Sequence, residues 1–467
     1  MRMCMRMRRM CLCLRRRWEM RLPRFLSSRS ETIAPAGLTS FKIPVGEGSR
    51  RVHLRAGAEG GILVIDASRI LHLNPTAQDF AWLILRGYPR DEALRKIRAR
   101  YFVSAEEARR DYDSVRNAID CMLSDQPVCP VTFLGFDRIE PFAMPVSAPY
   151  RADLALTYSC NIGCLHCYNE TRSVQEMGTD KWKEVMNRLW DIGIPHVCFT
   201  GGEATLRDDL AELIAHAESV GMVSGLLTNG VRLADPSYLS TLAEAGLDHV
   251  QITLESQIEE IHNSMVGART WADTVMAIRN CVGLPIFAIT NTTITKANAA
   301  TAEGLVDFLA SLGLKSFAVN SIIASGKAVS GDFALTPSEL APILESIRRS
   351  AERVGMRMVW YSPTRYCELD PLELELGPKR CTAAQYNICI EPDGGVLPCQ
   401  SYYESAGNIL RDSWESIYSG RLFKGLRERD WVDEACRGCE SLVLCGGGCP
   451  LESKGRATTC PDMLSNP

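Results

Sequence analysis

Residues 154–167 read LALTYSCNIGCLHC, a short apolar run followed at once by three cysteines. The run is the right length for a buried strand, so the cysteines should lie on the loop that follows it. Three thiolates, from Cys160, Cys164 and Cys167, can hold a four-iron cube at three corners and leave one iron open. A zinc site is the alternative, but structural zinc takes four ligands. The spacing therefore favours an iron–sulfur centre with an open position.

Strand-like and helix-like segments alternate from this stretch onward. Predicted strands lie at 152–158, 196–200, 222–227, 248–254, 285–293 and 316–321, with helices near 178–191, 206–219, 236–245, 271–280 and 300–312. This alternation predicts an α/β fold in which outer helices cover a parallel sheet, and six units suit an incomplete (β/α)6 TIM-type barrel. Functional residues of such barrels lie at the C-terminal strand ends, where we expect the site.

Polar motifs stand at several of these strand ends. Gly201 and Gly202 follow the second predicted strand and would let the backbone approach a ligand closely. Glu203, next in the chain, can accept a hydrogen bond from a cationic amine. Thr228 closes the third predicted strand, and the segment Thr253–Ser256 closes the fourth.

The cysteine loop and these strand ends resemble the radical S-adenosylmethionine (SAM) superfamily over roughly residues 150–330. The resemblance implies a catalytic [4Fe-4S] cluster on Cys160, Cys164 and Cys167, with SAM on its open iron. It assigns SAM contacts to His166, Gly201, Gly202, Glu203, Thr228, Thr253 and Glu255. The implied activity is reductive cleavage of SAM followed by hydrogen abstraction from a substrate. Two positions depart from the family pattern, since Ala204 replaces a frequent proline and Val266 a frequent arginine.

A second group of cysteines spans the C-terminal part of the chain. Cys381 is followed by Cys399, by the run Cys436, Cys439, Cys445 and Cys449, and by Cys460. This order resembles the SPASM extension rather than a structural zinc ribbon. The resemblance implies two auxiliary [4Fe-4S] clusters, the inner on Cys381, Cys399 and Cys449 and the outer on Cys436, Cys439, Cys445 and Cys460. The inner set lacks one ligand, which Cys389 or Cys367 could supply, unless that iron is open to substrate.

Residues 43–124 predict three strands followed by three helices. Asn74 is a candidate N-cap of the first helix, and Ser104 with Glu107 fits a capping box for the third. The segment resembles the PqqD-like RiPP recognition element. That likeness implies a precursor peptide whose leader is held as an added strand by the third strand and third helix. A winged-helix-like packing or dimerisation module is the alternative.

Composition limits the remaining possibilities. The chain has 467 residues, 46% of them hydrophobic, and a net charge of −4, so neither nucleic acid nor a membrane is indicated as partner. Nineteen cysteines without a secretory signal favour a reducing, cytoplasmic location. Residues 1–42 are expected to be a basic tail, in which Met20 is a possible true start and a targeting peptide the alternative. We expect a Pro-rich linker over 125–150, a bridging segment over 331–380 and the SPASM domain over 381–467.

These parts together predict a radical SAM peptide maturase that forms a thioether or carbon–carbon crosslink in a ribosomally made peptide. A flavodoxin or ferredoxin would supply the electron. An activity like that of anaerobic sulfatase maturases is a second possibility, although the aspartate those enzymes carry after the second SPASM cysteine is Gln400 here. Modification of a tetrapyrrole is a third possible activity. A non-catalytic role as an iron–sulfur electron carrier is the fourth possibility.

Overall fold

Two sheets organise the chain. The computed structural model describes residues 32–46, 48–124, 146–170 and 172–453. Within them, a four-stranded antiparallel sheet precedes a nine-stranded, mostly parallel one. Most of the tail and of the Pro-rich linker, and also Cys460, lie outside the described residues. No described helix is both long and apolar enough to cross a membrane.

The first sheet carries three helices on one face. Its strands, in spatial order, are β1 (Gly37–Val45), β2 (Gly48–Gly57), β3 (Gly60–Ile65) and β4 (Arg69–Leu73). The helices are α1 (Pro75–Leu85), α2 (Arg90–Arg100) and α3 (Ala105–Leu123). Both predicted caps are confirmed, since the Asn74 side chain accepts from the Ala77 amide and Ser104 forms a complete capping box with Glu107.

The first strand corrects the expected start of this domain. β1 begins at Gly37, inside the predicted tail, so the sheet has four strands rather than three. Phe41, Ile43 and Val45 alternate along β1 and pack against the helix-covered core. The sequence did not predict β1 because the alternation of its apolar residues begins inside a segment whose basic composition is typical of a tail.

The second sheet holds the six predicted strands as neighbours, with each end within two residues of its expected place. They are β5 (Arg151–Thr157), β6 (His196–Gly201), β7 (Val223–Thr228), β8 (His249–Thr253), β9 (Phe287–Thr293) and β10 (Ser316–Asn320), all parallel. The covering helices are α4 (Thr179–Ile192), α5 (Leu210–Val220), α6 (Pro236–Glu244), α7 (Glu259–Val266), α8 (Trp271–Val282) and α9 (Ala302–Ser311). Apolar side chains of helices and strands form one continuous core.

Three strands extend this sheet beyond the predicted six. The expected bridging segment forms α10 (Pro337–Val354) and β11 (Arg357–Trp360), which pairs parallel with β10. On the opposite edge β12 (Asn387–Ile390) pairs parallel with β5, and β13 (Val396–Leu397) pairs antiparallel with β12. The C-terminal cysteine segment is therefore joined to the central sheet by main-chain hydrogen bonds. Short helices follow, namely α11 (Trp414–Tyr418), α12 (Arg421–Glu428), α13 (Glu434–Arg437), α14 (Leu442–Cys445) and α15 (Pro450–Ser453).

Basic side chains of β2 fasten the first domain to the second. Arg51 donates from Nη1 to the Met222 carbonyl at 2.6 Å and pairs with Glu218. His53 Nε2 lies 2.7 Å from the Gly221 carbonyl. Arg55 donates from Nη1 to the carbonyls of Ala148 and Gly193 at 3.0 and 3.1 Å. All three side chains are buried, so the contact is a specific interface.

Candidate active site

A cavity of about 560 Å³ opens at the C-terminal ends of the parallel strands. The fold brings all ten residues predicted for the first cluster and for SAM into its lining: Cys160, Cys164, His166, Cys167, Gly201, Gly202, Glu203, Thr228, Thr253 and Glu255. They come from the ends of three strands, β6, β7 and β8, and from the loop after β5. Parallel strands place these distant segments together, because their C-terminal ends share one edge.

The cysteine loop is held by backbone contacts from two other segments. The amides of Gly163 and Leu165 donate to the carbonyls of Val266 and Met265, both at 3.0 Å. On the far side, the Lys327 amide donates to the Cys167 carbonyl at 2.9 Å. Burial, followed by the nearby Glu255 and the two other thiols, raises the pKa of the Cys164 thiol. Three thiols thus stand close together on a loop that is fixed from both sides.

The glycine pair also brings two strand ends into contact. The Gly202 amide donates to the Thr157 carbonyl at 2.7 Å, and the Glu203 amide donates to the Ser159 carbonyl at 2.9 Å. A Cβ on Gly202 would overlap the Ser159 carbonyl oxygen, and one on Gly201 would overlap that of Thr157. The pair therefore lets the end of β6 lie directly against the chain that leads into Cys160.

Glu203 is buried and bound by three neighbours. Its Oε1 accepts from the Thr205 hydroxyl and amide at 2.6 and 3.2 Å and from the Thr228 hydroxyl at 2.7 Å. Its Oε2 accepts from the Asn229 amide at 2.8 Å. Burial raises the pKa of this carboxyl group, against the effect of these donors. Because a carboxylate oxygen can accept twice, Oε2 keeps one position for a further donor, which suits an ammonium group.

His166 and Glu255 form a pair that the sequence did not reveal. His166 Nε2 lies 3.0 Å from Glu255 Oε1, and Glu255 Oε2 accepts from the Thr293 amide at 2.8 Å. Burial lowers the pKa of His166, but the neighbouring carboxylate outweighs it and the net shift is upward. The pair fixes the orientation of the imidazole ring at the cavity wall.

Further polar residues of the cavity were missed by the sequence reasoning. Asn169 donates to the Gly201 carbonyl at 2.7 Å and accepts from the Tyr403 hydroxyl at 2.9 Å. Asn291 and Asn320 also line the cavity at the ends of β9 and β10. Their strand-end positions were the available signal, but a single asparagine at a strand end is too common to single out.

The thiols expected at the inner auxiliary cluster lie near one another. Burial, followed by the adjacent Cys381, raises the pKa of the Cys399 thiol to about 12. Burial is also the largest cause of the raised pKa of the Cys449 thiol, and both Cys381 and Cys399 raise it further. Cys389, the first candidate for the fourth ligand, is buried on β12 and lies near Cys399. Cys367, the second candidate, is partly buried.

The described part of the outer set lies on the short C-terminal helices. Cys436 is in α13, Cys445 ends α14, and Cys439 is exposed between them. Cys445 Sγ accepts from the Tyr366 amide at 3.4 Å. The predicted fourth member, Cys460, is outside the described residues.

The donor sets fit the groups that the sequence led us to expect. Three thiols on one loop suit an iron–sulfur cluster with an open corner. Beside them, the carboxylate of Glu203 with a spare acceptor position suits the amino group of SAM. The cavity also has the volume that small-molecule sites usually have.

Comparison with known proteins agrees with this geometry. The model of the radical SAM superfamily matches residues 154–309, and that of the iron–sulfur cluster-binding domain SPASM matches residues 381–440. A PqqA peptide cyclase of Xanthomonas campestris pv. campestris (strain 8004) is 30% identical over 329 residues, which are 66% of this chain and 84% of the relative.

Two solved structures share the fold. Streptococcus suis SuiB, bound to its precursor peptide SuiA, superposes with a TM-score of 0.66 at 16% identity, over 87% of this chain and 95% of SuiB. The enzyme anSMEcpe, with bound AdoMet and the Kp18Cys peptide, gives a TM-score of 0.54 at 19% identity, over 67% of this chain and 92% of that one. The family matches imply [4Fe-4S] clusters and SAM as cofactors. The chain belongs to the radical SAM superfamily and carries a SPASM iron–sulfur cluster-binding domain.

Proposed function

We propose that this enzyme is a radical SAM peptide maturase. The observation that carries the proposal is the composition of the cavity wall, in which Gln400 of the SPASM domain stands with the cysteine loop. A substrate bound there would touch both segments at once. Relatives support a peptide as substrate, since the Xanthomonas relative is called a PqqA peptide cyclase and SuiB was solved with a precursor peptide.

The residues of the cavity would have different roles in binding the cluster and SAM. Cys160, Cys164 and Cys167 would hold the first cluster, and the chemistry that it supplies when bound is one-electron reduction of SAM, which generates the hydrogen-abstracting species. Glu203 would accept a hydrogen bond from the SAM amino group. The His166–Glu255 pair would keep the imidazole against the cofactor, while Thr228 and Thr253 complete the wall.

The auxiliary clusters would receive the electron that the peptide loses when a crosslink closes. Cys381, Cys399, Cys449 and Cys389 would hold the inner cluster, and Cys436, Cys439, Cys445 and Cys460 the outer one. A thioether or carbon–carbon bond is the product that this arrangement favours, because forming either bond removes two hydrogens from the peptide. A flavodoxin or ferredoxin in the cytoplasm would supply the electron for SAM cleavage.

The first domain would bind the leader of the precursor, as a PqqD-like recognition element does. β4 is the last strand of its sheet, so its outer edge can accept an added strand. Arg69 of β4 reaches the Met122 and Ser124 carbonyls at the end of α3, which places strand and helix side by side. Ile70, at 38% exposure, offers an apolar contact beside that edge.

The activity of an anaerobic sulfatase maturase is the second candidate, because anSMEcpe shares the fold. Gln400 counts against it. The residue lines the cavity, where an amide cannot act as the base that an aspartate would provide.

SAM cleavage tests the enzyme class. Full-length chain, loaded with clusters under anaerobic conditions and given dithionite and SAM, should release 5′-deoxyadenosine. Cys164→Ala should abolish this release, and Cys281→Ala, which alters a buried thiol of α8, should keep it. If the loaded wild-type chain produces none, the enzyme class is wrong.

Peptide modification tests the substrate class. The chain should be co-expressed with each short open reading frame found next to its gene, and the peptide product should be weighed. A loss of two hydrogens per crosslink is expected. Cys439→Ala should remove this product while keeping part of the 5′-deoxyadenosine release. An unchanged peptide mass with active SAM cleavage would contradict crosslinking.

A further inference from the structure

Near the N-terminal ends of β6 and β8, away from the cavity, three side chains that can bind a metal ion lie close together. His196, Cys198 and His249 have one ligand atom each within 4.8 Å of the others, the only such group found among residues 32–46, 48–124, 146–170 and 172–453. The Nε2 atoms of the two histidines are 2.8 Å apart. Cys198 Sγ lies 3.3 Å from His196 Nε2 and 3.9 Å from His249 Nε2. None of these three residues lines the cavity.

The strand order explains how the three side chains meet. His196 and Cys198 are two apart on β6 and so point to the same face, whereas His249 begins β8. β7 lies between them, and its Gly225 pairs with both Cys198 and His249. A Cβ at Gly225 would overlap the His249 ring and lie 2.9 Å from Cys198 Sγ. The glycine thus opens the space in which His249 reaches across β7.

A buried acidic side chain stands in the strand next to Cys198. Asp153 stands opposite Cys198 in the adjacent β5 and is paired with Arg151. Asp153 Oδ1 is buried 3.0 Å from Arg151 Nε but accepts no well-directed hydrogen bond. A carboxylate with an unused lone pair therefore lies in the strand next to Cys198.

We propose that His196, Cys198 and His249 bind a Zn²⁺ ion that links β6 to β8 inside the sheet. Two imidazoles and a thiolate form a typical zinc donor set, and a water would complete the tetrahedron. Binding releases the Cys198 proton to solvent and involves no redox change. Zinc–nitrogen bonds of about 2.0–2.1 Å hold two nitrogens roughly 3.3 Å apart, so the rings need to separate by only about 0.5 Å.

A buried histidine–histidine hydrogen bond beside a packed thiol is the competing explanation. This explanation accounts for the 2.8 Å contact between the two Nε2 atoms and requires no metal.

The number of zinc ions bound per chain distinguishes a zinc site from such a hydrogen bond. Full-length chain with its clusters loaded should be washed with EDTA, mixed with one equivalent of ZnCl₂ and desalted, and zinc and iron should be measured by mass spectrometry. The wild type should keep one zinc per chain, whereas His249→Gln and Cys198→Ser should lose it at unchanged iron.

Cys281→Ser provides the matched control, because it removes another buried thiol, and it should bind zinc like the wild type. X-ray absorption at the zinc edge of the wild type gives a test that needs no variant and should show two nitrogens and one sulfur. No retained zinc in the wild type would overturn the proposal, as would equal zinc in all variants. An all-sulfur shell would overturn it too, since the ion would then occupy cluster cysteines.

Discussion

At the scale of single residues, the site depends on positions that have no side chain. Gly202 allows the end of β6 to touch the backbone of Tyr158 and Ser159, immediately before Cys160. The position of the first sulfur is therefore set by main-chain contact between two strand ends. The sequence places this glycine at the end of a strand, but its contacts with Tyr158 and Ser159 depend on the pairing of β5 with β6, which a local pattern does not show.

We predict that Gly202→Ala weakens both folding and the first iron site. The new Cβ would overlap the Ser159 carbonyl oxygen and lie 2.7 Å from that of Tyr158, and relieving this overlap should cost about 1–3 kcal/mol. Denaturant unfolding and iron content after anaerobic loading measure the two effects. Gly178→Ala is the control, since nothing lies within 4 Å of its added Cβ. Equal iron in both variants would show that the close contact is not needed.

Secondary-structure elements were predictable where the pattern was local. The six strands β5 to β10 alternate with helices along the chain, and each lies within two residues of its expected place. The pairing of β12 with β5 could not be foreseen. β12 has only four residues, and its partner is more than 200 residues earlier, so no periodicity connects them.

The free edge of β4 gives a prediction at this scale. Ile70→Glu should weaken binding of the precursor peptide about 10-fold, because a charge replaces the apolar contact beside the added strand. Fluorescence anisotropy of the labelled precursor peptide that the co-expression experiment identifies measures the affinity. Phe102→Ser, which alters another exposed apolar residue of the same domain, should bind like the wild type. Unchanged affinity in Ile70→Glu would argue against leader binding at β4.

The pairing of β12 gives another prediction. A chain that ends at residue 380 would lose β12 and expose the main-chain edge of β5. Exposed sheet edges promote association between chains. We expect the shortened chain to be largely insoluble, or to elute as an aggregate in size-exclusion chromatography. A soluble, monodisperse product would show that β12 is not needed to cover β5.

At the scale of the whole molecule, the interface between the two domains should respond to pH. Burial, as the largest cause, lowers the pKa of His53 to about 4, with Arg51 lowering it further and Asp66 and the Gly221 carbonyl opposing this. Between pH 6.5 and 4 the unfolded chain therefore binds the extra proton. The free energy of unfolding should fall through this window as the pH decreases, by roughly 3 kcal/mol in total.

His53→Gln isolates this contribution. The glutamine amide can still donate to the Gly221 carbonyl but has no proton to gain. The difference in unfolding free energy between variant and wild type should therefore shift in favour of the variant as pH falls from 7 to 5. The chain should be measured without cluster loading, so that acid loss of iron does not contribute. His216→Gln, at a more exposed site, should follow the wild type closely.

The pairing of β12 with β5 also affects electron transfer. The strand that carries Cys389 and the strand that leads into Cys160 are hydrogen-bonded neighbours in one sheet, and Cys389 pairs with Asp153. A change in their separation would require breaking the main-chain hydrogen bonds of the sheet. An electron crossing between these two regions would meet a tunnelling barrier of constant width, so its transfer rate should not depend on domain motion.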